Sequence, residues 1–364
     1  MAFFYQKTIL IAPLDWGLGH ATRCIPIIKE LQSVNCKVII AGEKATLKIL
    51  SEAFPALQTI HLRGYRVHYS PKKSLFALYL LIQSPKILLA IYKEHQWLKK
   101  VVKKYTVDAV ISDNRFGLYH TSLPCVYITH QLNIKTGNRF LNKLVQKLHF
   151  STIKKFTHCW VPDFENANNS MAGILSHADN APFNVSYIGG LSRFKGNSIT
   201  TDKLYSIVAV LSGPEPQRTI FENILLVQLQ QFKTKSLLVR GLPNEINILA
   251  PLGKGNLEIK NHLNMHDLNE AMLQAEWVIA RSGYTTVMDL VKIQQRAILI
   301  PTPGQTEQEY LADYLTQKKF FFTASQQQFD LAAAVKEALI FPSGIVTVNM
   351  DLYKQVIGDF VHSL

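Results

Sequence analysis

The chain has 364 residues, 48% of them hydrophobic, and a formal net charge of +13. This length exceeds the usual size of one hydrophobic core, so we expect about two domains. The composition is that of a folded α/β protein and excludes collagen-like and disordered chains.

The positive charge is concentrated in the first half. Between Ala53 and Pro162 there are seventeen Lys or Arg and three acids, whereas the rest of the chain is close to neutral. No recognisable nucleic-acid motif accompanies this region, so no nucleic-acid partner is predicted. Basic residues alternate there with apolar ones, which favours contact of residues 65–160 with an anionic membrane. The alternative is a set of buried helix faces with a solvated basic side.

The cysteines and the N-terminal sequence give information about the subcellular location of the protein. Cys24, Cys36, Cys125 and Cys159 are far apart and form no C-x-x-C pair. This spacing argues against a zinc ribbon or a disulfide framework and favours a reducing cytosol. The sequence contains no signal peptide pattern, and polar residues interrupt the longest apolar run, so no spanning helix is predicted. We expect a cytoplasmic protein, on the inner face of the cytoplasmic membrane if the basic region binds lipid.

Apolar runs alternate with helical patterns along the first half, which predicts a parallel sheet with crossover helices. Predicted strands lie at 8–12, 37–41, 57–61, 109–112, 125–129 and 157–161. Predicted helices lie at 21–32, 44–54, 75–105 with an interruption at Pro85, and 140–155.

The same pattern restarts after a turn-rich linker at 189–197. Predicted strands lie at 205–211, 236–240, 257–260, 277–280 and 297–301, and predicted helices at 219–232, 267–275, 285–291 and 307–317. We assign 1–190 and 198–345 to two Rossmann-like domains, and 346–364 to a helix that packs back on the first domain. Open α/β sheets bind ligands at the carboxyl ends of their strands, so we expect one ligand in a cleft between the domains.

A glycine turn joins the first predicted strand to the first predicted helix. Gly17 and Gly19 let backbone N–H groups approach a ligand at a helix N-terminus. His20 follows directly, and its ordinary pKa near neutrality suits a base that takes a proton from an attacking hydroxyl. The alternative is a histidine that only caps the helix.

Polar residues also follow two later strands of the first half. Asp113 can orient a base, bind a sugar hydroxyl or satisfy a turn. His130, Gln131 and Asn133 follow the next strand and are candidates for an acceptor pocket. A metal centre of His20, His130 and Asp113 is an alternative, but no H-x-x-x-H or H-E-x-x-H spacing supports it, so no metal is predicted.

Two loops of the second half have features of a nucleotide site. Ser212 and Gly213 offer backbone N–H groups after a strand, and Arg218 offers a permanent charge for a diphosphate. The alternative for Arg218 is an ordinary surface position on the first helical turn, and we favour the diphosphate role. Backbone at Met265, before a helix with Asp267 as its expected N-cap, is placed to read the edge of a base.

The most specific signal runs from Ala280 to Asp289. A small polar turn leads into a helix whose N-terminus suits phosphate, and Asp289, about one turn further, suits a ribose hydroxyl. The next strand ends in amide and carboxylate side chains that suit sugar hydroxyls, although they are also good helix starters. The candidates in these segments are Arg281, Ser282, Gly283, Tyr284, Thr285, Thr286, Asp289, Gln305, Glu307 and Gln308.

These last segments resemble the donor-binding half of the GT-B glycosyltransferases, in the family 28-like branch of the peptidoglycan-precursor N-acetylglucosamine transferases and the plant galactolipid synthases. The turn at 17–20 resembles the N-terminal glycine loop of that branch. The resemblance implies a GT-B fold, with a UDP-sugar bound mainly by the second domain. It further implies a lipid-linked or cell-envelope glycan acceptor held by the first domain, metal-independent inverting transfer, no cofactor, and peripheral membrane attachment.

The sequence departs from that family in its donor loops. Asp289 stands where the family has a ribose-binding glutamate, and Glu307 and Gln308 stand where it has His-Gln or Gln-Gln. Leu311 replaces a common asparagine. The resemblance therefore leaves the donor sugar open, and either His20 or Asp113 could be the base, with Arg218 and helix N-termini stabilising the diphosphate.

Two rival functions also fit the sequence. The run from Gly17 to Cys24 resembles the UDP-sugar hydrolases of pseudaminic acid synthesis, in which water replaces the acceptor. A non-catalytic nucleotide-sugar-binding or scaffold protein is the third candidate.

Overall fold

The computed structural model describes residues 6–15, 17–66, 76–134, 139–196, 203–243, 245–247, 256–344 and 346–364. The chain forms two compact units, one of Met1–Arg193 with Val348–Leu364 and the other of Phe194–Thr347. Trp16 in the first glycine turn, 67–75 and 135–138 in the basic region, and positions 197, 198 and 345 at the expected boundaries lie outside the described residues.

The first unit is built on one parallel sheet. Its strands are β1 (Thr8–Pro13), β2 (Lys37–Gly42), β3 (Gln58–His61), β4 (Ala109–Asp113), β5 (Cys125–Ile128), β6 (His158–Val161) and β7 (Val185–Tyr187). Their order in the sheet is β3-β2-β1-β4-β5-β6-β7, and every neighbouring pair is parallel. The central strands are buried along their length because both faces of such a sheet are covered, which is why they read as apolar runs.

The second unit repeats the plan with another parallel sheet. Its strands are β8 (Tyr205–Val210), β9 (Ser236–Val239), β10 (Leu257–Lys260), β11 (Ala275–Ala280), β12 (Ala297–Leu299) and β13 (Phe322–Thr323). Their order is β10-β9-β8-β11-β12-β13. The sequence predicts neither β7 nor β13, because both are two or three residues long and lack a buried apolar run.

Helices connect these strands. They are α1 (Leu18–Ser33), α2 (Lys44–Ala53), α3 (Phe76–Tyr105), α4 (Arg139–Ile153), α5 (Gln217–Leu229), α6 (Met265–Leu273), α7 (Tyr284–Ile293), α8 (Thr306–Gln317), α9 (Leu331–Ile340) and α10 (Leu352–His362). Helix α9 is absent from the prediction, although Asp330 caps it by accepting from the Ala333 N–H. Helix α10 belongs to the first unit, where Phe360 packs edge-on against Trp160.

The interruption predicted at Pro85 is wrong, because α3 continues through this residue as one helix of 30 residues. A proline inside a helix removes one backbone hydrogen bond and commonly kinks or breaks it. The later part of α3 is held independently of that position, since Leu98 and Val101 lie in the core cluster of the first unit. Packing therefore outweighs the local preference.

A buried ion pair ties α3 to the end of β4. The Glu94 carboxylate accepts from Arg115 Nε at 2.5 Å, from the Tyr65 hydroxyl at 2.5 Å and from the Gly117 N–H at 2.8 Å. Arg115 also donates to the Arg63 carbonyl at 2.6 Å. Glu94, Arg115 and Tyr65 are each at most 3% exposed. We name these three side chains the α3 brace.

Candidate active site

The first candidate constellation lies at the carboxyl ends of β1 and β4. Asp113 is the last residue of β4 and is paired in register with Pro13, the last residue of β1. Gly17 caps α1 with φ 106°, in the left-handed region that favours glycine, so the chain can turn directly from strand to helix. His20 and Arg23 are then one helical turn apart on the same face of α1. The topology therefore brings both α1 side chains to Asp113.

Arg23 is the centre of this constellation, which we name the His20 cluster: His20, Arg23, Asp113 and His130. Its Nε donates to Asp113 Oδ2 at 2.7 Å, and its Nη2 donates to Asp113 Oδ1. Nη2 also lies 2.7 Å from Nδ1 of His20, and Nη1 lies 2.9 Å from Nδ1 of His130. Nδ1 of His20 is 3.2 Å from Asp113 Oδ2. Arg23 was not predicted from the sequence, in which its signal is its position one helical turn after His20.

The electrostatics of the cluster separate its two candidate bases. Burial alone would raise the pKa of Asp113, but Arg23 and His20 outweigh burial and lower it to about 2. Burial, followed by the Arg23 charge, lowers the pKa of His20 below its ordinary value. Asp113 is fully buried, whereas the His20 side chain is 14% exposed. At neutral pH the cluster thus holds an ionised aspartate and an uncharged imidazole with access to solvent.

The three predicted acceptor residues are not all part of the His20 cluster. His130 joins it through Arg23 and is 6% exposed. Asn133 instead donates to the carbonyls of Ile174 and His177 at 2.6 and 2.7 Å, so its amide secures a neighbouring loop. Gln131 is half-buried, and its backbone N–H donates to the Thr129 hydroxyl.

No group of three or more His, Cys, Asp or Glu in the part of the chain that the structure describes could hold a metal ion. In the His20 cluster, the Arg23 guanidinium contacts all three side chains of the alternative metal centre. A permanent cation at this position is unfavourable for a second cation.

The second candidate constellation lies at the carboxyl edge of the other sheet. Strands β8, β11 and β12 are neighbours there, and each leads into one of the predicted donor loops. These loops hold Ser212 and Gly213, then residues 281–286, then Gln305 to Gln308. Gly213 has φ +105°, and a Cβ there would lie 3.7 Å from the Thr302 hydroxyl. The topology therefore brings together three loops that are far apart in sequence.

Two of these loops are joined by Gln308. Its side-chain carbonyl accepts from the Thr302 N–H at 2.9 Å, and its backbone carbonyl accepts from the Ser282 hydroxyl at 2.8 Å. Gly283 is the N-cap residue of α7, with extended backbone, and as a glycine it has no side chain to cap that helix end. Gln305 is the N-cap residue of α8, and Glu307 lies in its first turn. Such helix ends are suited to bind an anion.

Arg281 is a buried cation beside this edge. It is 1% exposed, donates to the carbonyls of Gln217, Ile300 and Pro301, and lies over the Phe221 ring at 4.4 Å. Its Nε has no hydrogen-bond partner among the described residues. Burial lowers the pKa of Arg281 to about 10, so it stays charged at neutral pH. No carboxylate in the described part of the chain forms a salt bridge with it, which leaves a positive charge to attract an anion.

Arg218, in contrast, is already paired. Its guanidinium donates to Glu215 at 2.6 Å, to Glu222 at 2.7 Å and to the Thr219 hydroxyl at 2.7 Å. Arg240 shares Glu222 with it. A diphosphate contact would require Arg218 to exchange at least one of these partners.

The remaining nucleotide candidates lie on two helices. Met265 opens α6, whose N-cap is Asn264 rather than the expected Asp267, because the Asp267 N–H donates to Asn264 Oδ1 at 2.9 Å. It follows β10, two strands away from β8. Tyr284, Thr285 and Thr286 form the first turn of α7, while Asp289 is 3% exposed further along.

Comparison with known proteins shows that the second unit is similar to a known family. Residues 208–343 match the model of the glycosyltransferase family 28 C-terminal domain. An uncharacterised glycosyltransferase of Methanosarcina acetivorans is 22% identical over 83% of this chain and 81% of its own length. The UDP-N-acetylglucosamine–N-acetylmuramyl-(pentapeptide) pyrophosphoryl-undecaprenol N-acetylglucosamine transferase of Lactococcus lactis is also 22% identical, over 87% of this chain and 82% of its own.

The fold as a whole is similar to that of solved glycosyltransferases. The crystal structure of SnogD from Streptomyces nogalater superposes with a TM-score of 0.63 at 13% identity, covering 99% of this chain and all of that one. At this identity the likeness establishes architecture only. The architecture is the GT-B fold, as the sequence resemblance implied.

Proposed function

We propose that this glycosyltransferase, which has the GT-B fold and matches the family 28 C-terminal domain over residues 208–343, transfers the sugar of a UDP-sugar to a hydroxyl acceptor. The observation that carries this proposal is the edge formed by β8, β11 and β12, where the N-terminus of α7 follows Arg281, a buried cation that forms no salt bridge with a carboxylate among the described residues. The N-acetylglucosamine transferase of Lactococcus lactis is named for a UDP donor and a lipid-linked acceptor, and we extend both classes to this chain.

His20 is the proposed base. The acceptor oxygen attacks the anomeric carbon on the face opposite the diphosphate, the bond from that carbon to the diphosphate oxygen breaks, and UDP leaves with the electron pair. Because attack and departure take place on opposite faces, the configuration at this carbon inverts. His20 takes the proton of the acceptor hydroxyl. Asp113 is unsuited to that step because it is buried and both of its oxygens bind Arg23. Arg281 and the N-terminus of α7 stabilise the charge on the diphosphate without a metal ion.

A thermal-shift panel of UDP-, GDP-, ADP- and dTDP-sugars tests the donor. We expect UDP-sugars to give the largest rise, about 5–10 °C at a hundred times Kd, because a ligand stabilises the native state that binds it. Asp289→Ala is expected to reduce this rise, whereas Asp313→Ala, an exposed acid on α8, is the matched control. Absence of a shift with every nucleotide would contradict the proposal.

Incubation of the protein with the UDP-sugar that gives the largest shift, without an acceptor, separates transfer from hydrolysis. A transferase leaves most of the donor intact until an acceptor hydroxyl is supplied. Rapid release of free sugar would instead identify a hydrolase, and tight binding with neither reaction would identify a binding protein.

We also propose that the first unit touches an anionic membrane. Helix α4 exposes Lys143 and Lys147, one turn apart, beside Leu144 and Leu148, which are 55% and 61% exposed. Lys154, directly after the end of α4, is also exposed. Helix α3 exposes a further apolar group, each member more than half exposed: Ile82, Leu88, Leu89 and Tyr92. Among the described residues, no helix is both long and apolar enough to cross a bilayer. Exposed leucines flanked by lysines fit a contact that lies on the membrane surface.

Sedimentation with phosphatidylglycerol vesicles tests this surface. Changing Lys143, Lys147 and Lys154 to Gln is expected to weaken vesicle binding about 100-fold, because each lysine near an anionic surface contributes about 1 kcal/mol. The exposed lysines Lys233, Lys318 and Lys336, changed together to Gln, provide a control with the same loss of charge. Equal weakening by both triple variants would show that net charge, rather than α4, is responsible.

A further inference from the structure

Arg23 and Asp113 both contact the same atom of His20, the ring nitrogen Nδ1. Nδ1 of His20 lies 2.7 Å from Arg23 Nη2 and 3.2 Å from Asp113 Oδ2. A guanidinium can only donate a hydrogen bond, and an ionised carboxylate can only accept one. Nδ1 therefore satisfies one neighbour at a time, and each choice corresponds to a different position of the imidazole proton.

The two choices differ in chemistry. When Nδ1 accepts from Arg23, the proton of the neutral ring is on Nε2, and that nitrogen cannot take another. When Nδ1 carries the proton and donates it to Asp113, the lone pair is on Nε2, and the imidazolium formed by proton uptake faces a carboxylate. Only the second tautomer is a base at Nε2, and this is the role the Asp plays in hydrolytic triads.

We propose that Arg23 is a positioning residue that sets the tautomer and the proton affinity of His20. This inference rests on the proposed role of His20 as base. Arg23 competes with His20 for the Asp113 carboxylate and offers its own N–H to Nδ1, so the resting ring is held uncharged with its proton on Nε2. When Nδ1 turns from Arg23 to Asp113, Nδ1 takes up a proton from solvent and Nε2 releases its proton to solvent, to which the partly exposed ring has access. This exchange produces the form whose Nε2 accepts the proton of the acceptor hydroxyl.

The charged and titratable groups facing His20 fix the sign of the effect. Burial lowers the pKa of His20, Arg23 lowers it further, Asp113 raises it and His130 lowers it. Arg23 also neutralises Asp113 through its Nε and Nη2. Removal of the guanidinium therefore deletes one interaction that lowers the pKa and uncovers another that raises it.

Nitrogen-15 NMR of histidine-labelled protein reads the tautomer and the pKa directly, without activity. The His20 signal is assigned by its absence from the spectrum of a His20→Asn variant. In the native protein we expect the Nε2–H tautomer and a pKa below 6.5. In Arg23→Gln we expect the Nδ1–H tautomer and a pKa raised by at least about 1. An Nδ1–H tautomer in the native protein would overturn the proposal even if the variant failed to fold.

Arg23→Lys provides the matched comparison, because it keeps the charge and loses the planar fork. We expect a smaller rise in the pKa of His20 than in Arg23→Gln. Equal pKa values for His20 in the folded native protein, Arg23→Lys and Arg23→Gln would show that Arg23 is only structural.

The pH profile of kcat/KM gives the catalytic readout. The acid limb is expected below pH 6.5 in the native enzyme and at higher pH in Arg23→Gln, by the same amount as the NMR pKa. If the NMR values shift while no transfer is found with any donor, the proposed function fails and the role of Arg23 stands. If transfer occurs and the acid limb does not move, the role of Arg23 fails and the function stands.

Discussion

Replacing His20 by alanine is expected to lower the kcat of sugar transfer about 10²- to 10⁴-fold, the usual contribution of a general base. The rise in Tm caused by the UDP-sugar should stay unchanged, because the donor loops belong to the other unit. The measurement is the initial rate with saturating donor and acceptor, together with the thermal shift for each variant.

His362→Ala is the matched control for His20, because it removes an exposed imidazole from α10. Its turnover should equal that of the native enzyme. Native turnover in His20→Ala would assign proton removal to another group. A fall in both turnover and donor binding would point instead to a folding defect.

Replacing Glu94 by glutamine is expected to lower the free energy of unfolding by about 3–5 kcal/mol, because it breaks the α3 brace and leaves a buried cation without its counter-ion. Arg115 is fully buried, so water cannot compensate for the lost carboxylate. The α3 brace also holds the segment that follows β4, and Asp113 is the last residue of β4. Urea unfolding, followed by a probe in the first unit, provides the measurement.

Glu52→Gln is the corresponding change at an exposed glutamate of α2 and should alter stability by less than about 0.5 kcal/mol. A loss of less than about 1 kcal/mol in Glu94→Gln would mean that its hydrogen bonds to Tyr65 and Gly117, rather than its charge, account for the contribution of Glu94.

The sheets were predictable because their central strands are buried on both faces. Residues such as Ile9, Leu10 and Ile11 form uninterrupted apolar runs that only an interior position explains. Strand β13 gives no such run, since its two residues are half-buried. The path of α3 through Pro85 also depends on packing far along the helix, which no local pattern reveals.

The sequence was enough to predict where candidate site residues lie along the sheets, but not which side chains form salt bridges with each other. Loops after parallel strands mark the carboxyl edge, so Asp113 and Arg281 were found from sequence. The partner of a guanidinium is decided in three dimensions. Arg23 reaches a carboxylate 90 residues away, whereas Arg218 is paired with two acids of its own segment. Sequence position favoured Arg218 as a diphosphate ligand and did not reveal the pairing of Arg23.

The placement of α10 has a consequence for synthesis. The first unit includes Val348–Leu364, and Phe360 supplies an aromatic face to Trp160 on β6. A ribosome making the chain therefore completes all of the second unit before it supplies the last part of the first. Until then Trp160 lacks its edge-on contact with Phe360, so the unit that carries His20 is the last to receive all of its residues.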